Sequence, residues 1–190
     1  MSTGRPDGAV DAATTPVVQS SAHGRFGREP LRRREPFGIQ VAELERSAAF
    51  YGGLLGFELV ARWVRDQAYI QELVGYPGVE LHVAVFRLPH SDAFLEILEY
   101  RNVERQAIDT ATANPGTAHF CLYVDDLDAF HDELSAAGVE FVSVVKSPDV
   151  GPNKGGKAVY MIDPDGIRVE LIETQKTLAG DPRPERAAHA

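Results

Sequence analysis

Cysteine is almost absent: Cys121 is the single one in 190 residues. An intramolecular disulfide is therefore excluded, and the composition fits a reducing cytoplasm, where the protein is expected. No apolar run approaches the roughly 20 residues that a helix needs to cross a bilayer, so a membrane is not an expected partner. The start of the chain has no apolar stretch behind a basic cluster, and no secretory signal is expected. Positive charge is in short supply, with 19 Lys and Arg against 28 Asp and Glu and a formal charge of -9. An acidic surface of that kind repels phosphate backbones, which argues against nucleic acid as a partner. What is present in ordinary measure is apolar: hydrophobic residues make up 44% of the chain, enough for the core of one domain.

Residues 1–35 are rich in Ser, Thr, Ala, Gly, Pro and Arg and show no apolar periodicity. So little apolar surface cannot offset the entropy of ordering, and a disordered tail is expected there. The cluster Arg32, Arg33 and Arg34 reads as tail charge. Residues 177–190 read as a second loose tail, leaving a domain over 36–176.

Within that domain the pattern is regular. Phe37 to Ala42 reads as a strand. In the segment ELERSAAFYGGLLG that follows, Leu44, Ala48, Tyr51 and Leu55 recur at helical spacing and Gly56 closes the end. Three strand-like runs come next, FELVARWV, ELHVAVFRL and AFLEILEY, with a short helix expected around AYIQELVGYPG. Then the order starts again. AHFCLYV is a strand, DDLDAFHDELSAAG a helix with Leu127, Phe130 and Leu134 on one face, and VEFVSVV, KAVYMI and IRVELIE three more strands. Laid over one another, the two copies put Val41 on Val124, Glu43 on Asp126 and Leu44 on Leu127. The chain is thus an α+β protein of two tandem βαβββ modules, about 36–100 and about 117–174. One such unit cannot bury its sheet face alone, which is the physical reason for two.

The segments VAELERSAAFYGGLLGFE, GTAHFCLYVDDLDAF and MIDPDGIRVELIE resemble the signature segments of the vicinal-oxygen-chelate superfamily, the glyoxalase, bleomycin-resistance and dioxygenase proteins. The resemblance implies two modules whose curled mixed sheets form a cup around a divalent metal ion. It also implies a small-molecule substrate and a homodimer. The family takes its metal ligands from the first and last strands of each module, and those positions here hold Pro36, Glu96, His119 and Glu170. A proline ring offers no donor, so the chain departs from the pattern at one position. Gln40 shares that strand face but lies about 13 Å further along at strand rise, too far to stand in. The expected ligands are therefore Glu96, His119 and Glu170, holding one Zn, Fe(II), Mn, Ni or Co ion per chain, a set that suits an imidazole with two carboxylates.

Alternation along the strands places His119, Cys121 and Tyr123 on one face, with Arg168 and Glu170 on one face of the last strand and Phe94, Glu96 and Leu98 on one face of AFLEILEY. The expected chemistry is metal-assisted proton transfer beside a carbonyl, of the lyase, isomerase or epimerase type, or dioxygenation, with Glu96 or Glu170 as the base. Residues expected to touch substrate are Gln40, Tyr100, Lys154, Lys157 and Arg168, the two lysines because GPNKGGK resembles the loop that closes over the glyoxalase I cup. In glyoxalase I the glutathione-contacting positions carry arginines and an asparagine; Gln40, Pro115 and Tyr100 stand there in this chain, which implies a different substrate. The alternative is a metal-free protein that sequesters a small molecule, as bleomycin-resistance proteins do, in a crevice lined by Trp63, Tyr69, Tyr76, Phe86 and Tyr100. His82, His90 and His131 are expected to have no functional role, and Asp163-Pro164-Asp165-Gly166 to be a turn by its own chemistry.

Overall fold

The computed structural model describes residues 36–151 and 153–174; the two expected tails and the arginine cluster lie outside the described residues. The first module runs through β1 (Phe37–Gln40), α1 (Leu44–Ala48), β2 (Glu58–Arg65), α2 (Ala68–Val74), β3 (Glu80–Arg87) and β4 (Phe94–Arg101). The second runs through β5 (Phe120–Tyr123), α3 (Leu127–Ala136), β6 (Glu140–Phe141), β7 (Lys157–Ile162) and β8 (Arg168–Glu173). Each forms a four-stranded sheet, in the order β1-β4-β3-β2 and β5-β8-β7-β6. In both, the first strand pairs parallel to the last and the remaining pairs are antiparallel. The tandem architecture expected from the repeat is therefore observed.

Two elements differ from the sequence pattern. The first helix continues past Ala48 as a π-helix over Ala49–Leu54. Within this segment Gly52 lets the helix close on the sheet: a Cβ there would stand 2.9 Å from Phe86 Cε1. The run VEFVSVV forms a strand only over Glu140–Phe141. It lies at the outer edge with one neighbour, and Val142 and Val144 remain 45% and 67% exposed, so burial does not hold the rest in the ladder.

The helix-facing sides of both sheets join in one core. Leu95 and Ile97 of β4, Val169 and Leu171 of β8, and Leu44, Tyr51, Leu127 and Leu134 of the helices all belong to it. The helix after the first strand of each module, α1 or α3, is also capped from that module's last strand. Glu99 Oε2 accepts from Leu44 N at 3.0 Å, and Glu173 Oε2 accepts from Leu127 N at 2.9 Å. These carboxylates satisfy N–H groups that a first turn otherwise leaves open.

The modules meet through β1 and β5, where the Phe37 and Phe120 rings lie 4.8 Å apart. They also meet where the first helix touches the β7–β8 turn. There the Tyr51 hydroxyl donates to Asp163 Oδ2 at 2.8 Å, and Arg46 pairs with Asp165.

Candidate metal centre

Register explains how the second sheet gathers its polar groups. In the parallel pair β5–β8, Cys121 stands opposite Glu170; in the antiparallel pair β7–β8, Tyr160 stands opposite the same residue. Cys121, Glu170 and Tyr160 thus form a row across three strands, on the face turned away from the helices. His119 joins them because it lies two residues before Cys121, and side chains alternate with a period of two.

The resulting contacts are close. Cys121 Sγ lies 3.0 Å from Glu170 Oε2, to which it donates. His119 Nε2 lies 3.6 Å from the same oxygen, and Tyr160 Oη lies 3.4 Å from that nitrogen. The ligand atoms of His119, Cys121 and Glu170 all fall within 4.8 Å of one another, the one such group of metal-binding side chains among the described residues. Burial, and then the bond and charge of Glu170, push the Cys121 thiol up to about 12, so without a cation the thiol keeps its proton. Tyr160 is raised as well, first by burial and then by the charge of Glu170. Imidazole nitrogen, carboxylate oxygen and sulfur within reach of one centre are a donor set that fits a divalent ion.

The first sheet offers less at the matching place. Gly38 stands opposite Glu96 as Cys121 stands opposite Glu170, and Pro36 precedes Gly38 as His119 precedes Cys121. Glu96 is the remaining ligand type there. Its carboxyl is raised by burial. Beside it Leu98, Tyr100, Val85 and Trp63 pack with Ile70, Leu81 and Val83 in an apolar cluster separate from the main core. Of the three ligands expected from sequence, His119 and Glu170 are brought together, whereas Glu96 is not within their group. Cys121 is, although sequence reading had placed it only on the His119 face; that shared face was the available signal.

The expected substrate residues are dispersed. Gln40 is exposed at the end of β1, and Tyr100 packs edge-on against Tyr76 on the Glu96 face. Arg168 Nη1 donates to Thr112 Oγ1 at 3.1 Å, on the same strand face as Glu170. Lys154 is exposed. Lys157 Nζ is held by Asp128 at 2.7 Å and Glu173 at 3.3 Å, which ties the strand to α3. Phe86 corrects one expectation: it is 2% exposed in the main core, on the opposite face of β3 from the residues beside Glu96, and lines no crevice. His82 pairs with Glu80, His90 lies in a loop at φ 52, and His131 packs against Phe141.

A sequence model of the glyoxalase/bleomycin resistance protein/dioxygenase superfamily matches residues 33–171. The chain belongs to this superfamily. It is 30% identical over 145 residues to a probable lactoylglutathione lyase of Vibrio parahaemolyticus, covering 75% of this chain and 91% of that one. To the lactoylglutathione lyase of Haemophilus influenzae it is 28% identical over 145 residues, covering 75% and 93%. Among solved structures, a glyoxalase family protein from Bacillus cereus superposes with a TM-score of 0.65 at 21% identity, over 77% of this chain and 96% of that one. The superfamily fold, two mixed sheets of four strands carried by tandem modules, is thereby established for this chain.

Proposed function

We propose that the chain is a divalent-metal-dependent enzyme of the lyase or isomerase kind, moving a proton beside the carbonyl of a small oxygenated substrate. The observation that carries this reading is the convergence of His119 Nε2 and Glu170 Oε2, 3.6 Å apart with a third donor atom in reach, at two of the superfamily's ligand positions. Relatives named lactoylglutathione lyase support the reaction class. An ion held by His119 and Glu170 would supply Lewis-acid polarisation of a carbonyl oxygen, which acidifies the neighbouring C–H.

The protein groups do the rest. Glu96, whose carboxyl is raised by burial beside apolar Leu98 and Tyr100, is a stronger base than a solvated carboxylate and takes the proton. Tyr160, bridging toward His119 and Glu170, holds the imidazole edge-on, with ring centroids 5.4 Å apart. The substrate differs from a glutathione adduct, because Gln40, Pro115 and Tyr100 supply no cation for glutathione carboxylates.

Elemental analysis of the full chain after loading with Zn, Co, Ni, Mn and anaerobic Fe(II) tests the proposal. A single tightly held ion per chain is expected, lost in Glu170→Gln, with a lower melting temperature after chelation because a bound ligand stabilises the folded state by mass action. Bound iron would turn the reading toward oxygen chemistry. No ion under any loading overturns the enzyme reading in favour of a metal-free ligand binder.

A further inference from the structure

We infer that Cys121 is a metal ligand, and that the ion is held by His119, Cys121 and Glu170, all from the second module. This rests on the metal-dependent reading above and names the donor set of that site. Three observations carry it. Geometrically, Cys121 Sγ lies 3.0 Å and His119 Nε2 3.6 Å from Glu170 Oε2, and all three donor atoms fall within 4.8 Å of one another, close enough to face one ion. His119 stands directly before β5 and Cys121 within it, at positions i and i+2, the spacing at which side chains of extended backbone share a face and can chelate a common centre.

The second observation is the internal repeat. The first module presents Pro36 and Gly38 where the second presents His119 and Cys121, while Glu96 and Glu170 match across the two sheets. The first strand of the chain therefore contributes no side-chain donor at either place, and a shell completed from this strand is not available. Cys121 supplies within the second module the donor that position 36 lacks.

The third is chemical placement. The chain's one cysteine lies outside both apolar clusters, on the face that carries His119 and Glu170, rather than packed in the core where a cysteine without a role usually lies. On metal binding the thiol proton leaves to solvent, the sulfur lone pair forms the bond to the ion, and the hydrogen bond to Glu170 is replaced by coordination of both groups. A nitrogen, sulfur and oxygen set favours Zn and Co over harder ions such as Mg or Mn.

Cobalt makes the inference visible, because thiolate-to-Co(II) charge transfer absorbs in the near ultraviolet. With a single cysteine in the chain, such a band can come from Cys121 alone. Chelator-stripped full-length protein is titrated anaerobically with Co(II), alongside Cys121→Ser, Cys121→His and Glu96→Gln. The wild type and Glu96→Gln are expected to bind a single ion with the band. Cys121→Ser is expected to lose the band and at least about tenfold in affinity, the lower end of what even an outer-shell change costs. Cys121→His, which keeps a donor, is expected to recover affinity without the band. Binding by the wild type without the band, at an affinity that Cys121→Ser leaves unchanged, overturns the inference while leaving the metal reading intact. Absence of cobalt binding by the wild type overturns both.

Discussion

Replacing Tyr51 with Phe removes one oxygen and leaves the ring in place. The hydroxyl is fully buried and donates at 2.8 Å to Asp163 Oδ2, whose own residue is 4% exposed. The other carboxylate oxygen keeps its bonds from Asp165 N at 2.9 Å and Ile167 N at 2.7 Å. The loss is thus one hydrogen bond to a buried charge, about 1.5–3 kcal/mol. For a chain of this size that lowers Tm by roughly 3–12 °C.

The pH dependence carries the sharper test. Burial raises the Asp163 carboxyl, and the Tyr51 bond pulls it back down. In Tyr51→Phe the folded-state value therefore rises further, while the unfolded value is unchanged. The stability deficit is then largest above the variant's folded pKa, where Asp163 is ionised, and shrinks as pH falls through it. Below the carboxylate range only a neutral hydrogen bond is missing, about 1 kcal/mol. Urea unfolding followed by circular dichroism from neutral pH to about pH 4 measures this, with a shifted midpoint and an unchanged m-value. A neutral-pH deficit below about 0.5 kcal/mol, or one that grows in acid, refutes the view that this bond fastens the first helix to the second module.

Two further outcomes follow from the carboxylates and the thiol. Glu99→Gln and Glu173→Gln should each cost about 1 kcal/mol, because each weakens a helix cap. Arg101, followed by the Leu44 amide, holds the Glu99 carboxyl below its usual range, so its contribution is present above the unfolded pKa and lost as pH falls through the folded one; a Glu99→Gln deficit that persists undiminished in acid would contradict this. In chelator-stripped protein at pH 8, Cys121 should react with iodoacetamide roughly a hundredfold more slowly than a free cysteine, since its thiol is pushed up to about 12 and the greater nucleophilicity of the resulting thiolate offsets only part of its scarcity, and Glu170→Gln should speed it. Reaction at the free-cysteine rate would show that Glu170 does not hold the thiol proton.

The repeat and the strand faces were legible in the sequence because each depends on local periodicity, whereas His119 and Glu170 were expected together only because the family resemblance implies it. What was not legible depends on register between distant strands. Cys121 meets Glu170, 49 positions away, only because β5 runs parallel to β8 in the observed register. The helix caps from Glu99 and Glu173 bridge 55 and 46 positions, and nothing near those glutamates announces them. The π-helix over Ala49–Leu54 keeps the same apolar positions an α-helix would bury, so periodicity cannot separate the two. Phe86 failed for a simpler reason: aromatic character says nothing of which face of β3 it occupies until the partner strand is known.

The comparison of the two modules shows which duties a duplicated unit must keep and which it can share. Each module has a helix to cap, and both retain the capping carboxylate, Glu99 in one and Glu173 in the other. Each also retains the central carboxylate, Glu96 or Glu170, opposite the first strand. The first-strand donors differ, because capping is required once per helix whereas one ion requires one set of ligands. With Pro36 and Gly38 on one side and His119 and Cys121 on the other, the proposed centre is lopsided. That asymmetry has a chemical consequence. A carboxylate bound to a cation is a weak base, so on the proposed assignment Glu170 loses basicity when the ion arrives. Glu96 lies outside the ligand group, in an apolar setting that raises its carboxyl. On this proposal, two carboxylates that occupy equivalent places in the repeat take opposite roles, one holding the ion and the other accepting the proton.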